Sequence, residues 1–150
     1  MKKELSIITL FIVIDQIVKL LAINIKQPIE LIPNFLQLSY VKNFGVAWSM
    51  FNDQRMFIIL FTAVAIGYLF YILNEYRNHI IIHFGILMMI GGAFGNAIDR
   101  VFRGFVVDYV DVVIFGYDFP VFNIADMLLV CGVLLIFVET VRKVKNGETI

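Results

Sequence analysis

Charged residues make up only 16% of this 150-residue sequence, and cysteine occurs once, histidine twice and proline three times. Each shortage excludes something. A single cysteine, Cys131, rules out an internal disulfide, and its apolar surroundings hold no group that would activate a thiol, so it reads as a small core residue. His79 falls in a turn and His83 in an apolar span, with no cysteine near, so the two do not read as a metal-ligand set, and neither a metal nor a cofactor is expected. The twelve basic residues balance the twelve acidic ones, and a formal net charge of zero gives no electrostatic footprint for nucleic acid. No linker, repeat or low-complexity tract divides the chain, so residues 1–150 read as a single domain.

What is abundant is apolar. Hydrophobic residues account for 61% of the sequence and the mean hydropathy is +0.89, a membrane composition. A bilayer core about 30 Å thick needs about 20 apolar residues in a helix. Four stretches qualify, at about 5–25, 56–74, 80–98 and 124–141. Lys2 and Lys3 ahead of the first stretch resemble the start of a signal peptide, but Asp15 and Lys19 interrupt it and "AINIKQP" offers no small-residue cleavage site; it is expected to be a retained span. Basic residues crowd the N-terminus, the turn "NEYRNH" and the tail "VRKVKNGETI", which places both termini in the cytoplasm and the two long connections, about 25–55 and 100–123, outside. In the first connection Pro28 and Pro33 break any helix, and "FLQLSYVKN" alternates Leu36, Leu38 and Tyr40 with Gln37 and Ser39, the period of a short strand. A surface helix near "AWSMFNDQ" is equally open.

Polar residues inside apolar spans need partners or a function, because a charge at the bilayer centre costs about 2.5 to 3.5 kcal/mol on insertion scales. Asp15 and Lys19 are spaced i, i+4 and can pair on one helix face, either as an anchor or as part of a site. Gly92, Asn96 and Asp99 follow one face of the third span. Gly91 and Gly95 form a GxxxG pair that lets another backbone come close. His83, near the start of that span, reads as a packed or interfacial histidine. Asn123 and Asp126 open the fourth span, where an amide cap and a first-turn acid are favourable in any helix. Yet Asp126 lies at the membrane surface, beside a preceding segment that carries Asp108 and Asp111. Two carboxylates brought together at a water–lipid boundary share a proton, so an acid and a base coexist near neutral pH, the requirement for activating water while protonating a leaving group. Ser6, Ser39 and Ser49 have no general base in a recognisable motif.

These motifs resemble, in order and over nearly the whole chain, the lipoprotein signal peptidases, the type II signal peptidases of bacteria. "DQIVK" (15–19), "NFGVAWS" (43–49), "GGAFGNAIDR" (91–100), "GFVVDYVD" (104–111) and "FNIAD" (122–126) carry the likeness. Val18 departs from the usual Ser or Thr, and Met127 from the usual small residue. The resemblance implies an all-α membrane protein, a four-helix bundle with a small extracytoplasmic sheet, acting as an intramembrane aspartic peptidase that cuts before a diacylglyceryl-modified cysteine. Asp108 and Asp126 match the catalytic pair, with Asp111 as the fallback for the first. Asn96, Asp99, Arg100 and Asn123 match positions that support the pair and line the substrate pocket. Asp15, with Lys19 in the same motif, matches a supporting position, and Asn43 and Gly45 match an outer motif associated with substrate. The expected partners are a diacylglyceryl-modified prolipoprotein and membrane lipid, with a single chain as the working unit. A small proton-coupled transporter is the rival reading, since intramembrane carboxylates also shuttle protons.

Overall fold

The computed structural model describes residues 2–45 and 54–148. The four apolar stretches form helices α1 (Lys2–Ala22), α2 (Arg55–Glu75), α3 (Ile80–Phe102) and α4 (Ile124–Asn146), each long and apolar enough to cross a membrane. Four boundaries differ from the hydropathy reading by three residues or more. α1 begins earlier and stops at Ala22, where the Asn24 side chain caps the Leu20 carbonyl at 3.0 Å ahead of Pro28. α3 and α4 run on past their apolar stretches to Phe102 and Asn146, because Arg103 reaches back to the Asp99 carboxylate and Arg142 binds Glu139 from one turn away.

Helix α3 is the centre of the bundle. More than half of its apolar stretch, 56%, is buried, against 17–22% for the other three. Ile82, Ile86, Leu87 and Ile90 form the core with Ile8 of α1 and Leu69 and Leu73 of α2. Both members of the GxxxG pair face α1: a Cβ on Gly91 would lie 2.8 Å from Phe11, and one on Gly95 would lie 2.5 Å from Asp15 Oδ2. Glycine at 95 therefore makes the room into which α1 inserts a carboxylate. The remaining helix surfaces are apolar and uncovered, as a bilayer requires. Cys131 lies on such a surface of α4, which corrects the expectation of a core residue: the stripe of α4 that packs on α3 passes through Leu128 and Gly132, and Cys131 falls beside it.

At the end of the bundle where α1 and α3 finish and α4 begins, four antiparallel strands form one sheet in the order β1 (Ile29–Ile32), β2 (Leu36–Asn43), β3 (Val106–Ile114) and β4 (Tyr117–Asp118). The alternating segment is β2. Leu38 and Tyr40 pack on Ala22, Val107 and Tyr109, but the opposite face is not left to water, since Gln37 and Ser39 meet Asp111 of β3. The alternative helix near "AWSMFNDQ", and Ser49, fall outside the described residues apart from Gln54, which precedes α2.

Candidate active site

Asp126 is placed by the start of α4. Asn123 is the N-cap, in extended backbone (φ −135, ψ 179); its Oδ1 accepts the Asp126 N–H at 2.9 Å, and Asp126 Oδ2 accepts the Asn123 N–H at 3.1 Å. This reciprocal capping box fixes the rotamer of the carboxylate. Its other oxygen accepts Asn96 Nδ2 of α3 at 2.7 Å.

Asp108 arrives by a different route. After α3 the chain turns at Gly104, whose φ of +88 suits a residue without a Cβ, and enters β3. Asp108 Oδ1 accepts Asn123 Nδ2 at 2.6 Å and Oδ2 accepts Asn43 Nδ2 at 2.9 Å. The pairing of Val41 with Asp108 and of Asn43 with Val106 brings that second amide from β2. Asn123 thus touches both carboxylates, Asp108 through its side-chain N–H and Asp126 through its backbone N–H, while its side-chain oxygen accepts the Asp126 backbone N–H. Asn43 Oδ1 holds the Gly45 N–H at 3.0 Å, and Arg100 Nη2 donates to the Gly45 carbonyl at 2.8 Å, so the outer segment is clamped over the end of α3.

Burial, and then the neighbouring Asp126 charge, push Asp108 up from 3.8 to about 6, while donation from Asn43 and Asn123 opposes the rise. Asp108 is 2% exposed. Tyr109, next on β3, is pushed up to about 12, chiefly by burial, and stays a phenol whose oxygen accepts the Ile124 N–H at 3.2 Å.

Behind these groups lies a buried ionic layer. Lys19 Nζ stands 3.0 Å from Asp15 Oδ2 and 3.1 Å from Asp99 Oδ2, and donates to Asn96 Oδ1 at 2.9 Å. The i, i+4 pair read from the sequence is present, with Asp99 as a third member. Asp15 and Asp99 do not touch Asp108 or Asp126. Asp15 Oδ1 accepts the N–H of Ala125 at 3.0 Å, and Asp99 Oδ2 accepts the N–H of Val107 at 3.0 Å; each is the residue directly before one of the two acids. Sequence reasoning missed Gln16 and Arg103. Gln16 Nε2 reaches Asp15 and Asp99, each at 3.2 Å, and the Gly95 carbonyl at 3.1 Å; Arg103 binds both Asp99 and Gln16. The available signals were a polar residue beside Asp15 in an apolar span and a cation at i+4 from Asp99.

Asp111 goes elsewhere. Three positions after Asp108 on an alternating strand, its carboxylate accepts Gln37 Nε2 at 2.7 Å and faces Ser39 Oγ at 3.5 Å. His83 Nδ1 lies 3.1 Å from the Leu73 carbonyl, and His79 precedes α3 beside Lys143, both far along the bundle from Asp108. Among the described residues no cluster of His, Cys, Asp and Glu is arranged to hold a metal ion.

Comparison with known proteins agrees with this architecture. The model of the Peptidase_A8 family, described as signal peptidase (SPase) II, matches residues 7–142. The chain is 37% identical over 147 residues to a lipoprotein signal peptidase of Staphylococcus aureus (strain bovine RF122 / ET3-1), covering 95% of this chain and 90% of that protein. It is 39% identical over 142 residues to the one from Staphylococcus haemolyticus (strain JCSC1435), covering 91% and 89%. A solved bacterial membrane enzyme superposes with a TM-score of 0.90 at 32% identity, over 100% of this chain and 94% of that one. A second solved bacterial membrane enzyme gives 0.82 at 34% identity, with 92% of each covered. The chain belongs to the signal peptidase II family, and is a multi-pass bacterial membrane peptidase that processes prolipoproteins.

Proposed function

We propose that the chain removes the signal peptide of a prolipoprotein by cutting before a diacylglyceryl-modified cysteine, with water activated between Asp108 and Asp126. The observation that carries this reading is Asn123, which hydrogen-bonds Asp108 and caps Asp126 at once and so brings two acids of different environment to one place. Asp126, held at a helix N-terminus where negative charge is favoured, is the base that takes the proton from water. Asp108, raised to about 6, is the acid that protonates the carbonyl oxygen and later the leaving amine. Arg100 Nε is buried without a hydrogen-bond partner among the described residues, and its charge couples to Asp126, Asp108 and Asp99. It is a donor available to the substrate backbone or to the developing oxyanion. The uncovered apolar helix surfaces admit a signal helix and two acyl chains from the bilayer, so substrate concentration in the membrane contributes to binding. The sheet and the two acids face the outside of the cell, both termini lie in the cytoplasm, and one chain carries all the groups named.

The test uses purified full-length protein in detergent with a diacylglyceryl-modified prolipoprotein. Asp108→Asn and Asp126→Asn should each lower cleavage by more than about a thousandfold, since neither acid can substitute for the other. Near-normal cleavage by either variant would falsify the pairing. Cleavage in micelles, with no gradient across a membrane, also distinguishes this reading from proton-coupled transport.

A further inference from the structure

At the end of the bundle away from the sheet, a cavity of about 490 Å³ opens between the start of α1 and the start of α3. Its wall is apolar, with Ile7, Phe84 and Leu87, and its rim carries Lys2 and Lys3 from α1 and Arg77 from the turn between α2 and α3. Among the described residues the one acid on the rim is Glu4, which lies 3.7 Å from His83 Nε2, so the basic side chains there outnumber the acidic.

These cations differ from most others in the molecule. Lys19, Arg103 and Arg142 bind carboxylates, Arg55 and Arg100 donate to carbonyls, Lys143 meets His79, and Lys42 lies over the Phe105 ring. Among the described residues Lys2, Lys3 and Arg77 have no ion pair or side-chain hydrogen bond. They come from two separate segments and converge on one groove at the end of spanning helices, the level at which lipid headgroups lie.

We infer that this cavity binds one anionic phospholipid of the leaflet on that side, its phosphate between Lys2, Lys3 and Arg77 and the start of an acyl chain against Ile7, Phe84 and Leu87. The two halves of the cavity select the class. A free phosphate would satisfy the cations and leave the apolar wall in water. A zwitterionic lipid would fill the wall but brings its own cation to a rim that already has an excess of them. The site is remote from Asp108 and Asp126 and does not depend on their role.

The experiment measures thermal unfolding of the full-length protein in neutral detergent supplemented with phosphatidylglycerol, phosphatidylcholine or inorganic phosphate, with native mass spectrometry counting retained lipids. Phosphatidylglycerol alone should raise the unfolding temperature and persist as a one-lipid adduct. The Lys2→Gln/Lys3→Gln/Arg77→Gln variant should bind it at least about tenfold more weakly, as three lost cations near a lipid surface imply. All three side chains are exposed, so the variant should fold and retain cleavage. Lys145→Gln, which removes a cation from the same end of the bundle but outside the cavity, should change binding less than twofold. Equal stabilisation by phosphatidylcholine, full stabilisation by phosphate alone, an unaffected triple variant, or an equal loss in Lys145→Gln would each overturn the proposal.

Discussion

Asp15 and Asp99, on different helices, hold one buried ammonium between them, with Lys19 Nζ 3.0 Å from the first and 3.1 Å from the second. The far oxygen of Asp15 and the shared oxygen of Asp99 each take the backbone N–H directly before a proposed catalytic acid. One cation thereby ties the start of α4 to the start of β3. This supplies the order that Asn123 then uses to join Asp126 and Asp108.

Replacing Lys19 by Met removes the cation and leaves two carboxylates facing each other, all three side chains having been wholly buried. Breaking a buried pair in this way costs about 3 to 5 kcal/mol. Denaturant or thermal unfolding of Lys19→Met in detergent should show a loss of that size, and cleavage should fall with it even in variants rescued by low temperature. A stability change below about 1 kcal/mol would mean that the layer is not organised around the ammonium.

The acid role of Asp108 gives a pH test with a definite sign. Its value of about 6 is raised mainly by burial, and Asn43 opposes the rise by donating to the ionised form. Asn43→Ala removes that donor, so Asp108 keeps its proton to higher pH. The alkaline limb of kcat/KM, which follows loss of the proton from the acid, should move upward by about half a unit to one unit. A limb that stays in place or moves down would separate Asp108 from the acid step.

Most of the bundle is legible in the sequence because a bilayer imposes a length and a composition on each span, and Met56 to Leu73 meets both without a charge. The sheet is only partly legible. β2 has the alternation of a strand, whereas β3 carries "VVDYVDVVI", nearly continuous in apolar residues, because its first half is buried and its polar positions answer to Asn43 and Gln37 rather than to water. The burial of Asp15 beside Gly95 was half visible: the GxxxG spacing marks a close approach, but nothing in it says that a carboxylate occupies the space. The roles of Gln16 and Arg103 are not legible in the sequence because their partners lie 83 and 87 residues away, or one helical turn back on a helix end that hydropathy cuts short.

Asp111 tests the choice between two nearby acids. Its carboxylate is engaged by Gln37 and Ser39 within the sheet and makes no contact with Asn123 or Asn43. In Asp111→Asn one hydrogen bond of about 1 kcal/mol is altered, so cleavage should remain within a few-fold of the parent while Asp108→Asn abolishes it. A loss in Asp111→Asn comparable to that in Asp108→Asn, with the protein still folded, would reverse the assignment.

Gly92 tests whether the contact between α3 and α4 sets the position of Asp126. A Cβ at 92 would collide with the Ala125 carbonyl oxygen and lie 3.0 Å from Leu129 Cγ and 3.2 Å from Leu128 Cβ. The first obstacle is backbone, one residue before Asp126, and it cannot turn aside as a flexible side chain would. Gly92→Ala must therefore push α4 away from α3, stretching the 2.7 Å bond from Asn96 to Asp126 and the 3.0 Å bond from Ala125 to Asp15. Overpacking of this kind costs about 1 to 3 kcal/mol, and the displacement should lower kcat by about a hundredfold, since misplacement of a catalytic group by an ångström has that effect. Gly67→Ala, where a Cβ meets nothing within 4 Å, is the matched control and should gain slightly in helix stability with no change in cleavage. Normal kcat in Gly92→Ala would show that α4 can shift without moving Asp126, and that the N-terminal cap rather than the helix contact holds the acid in place.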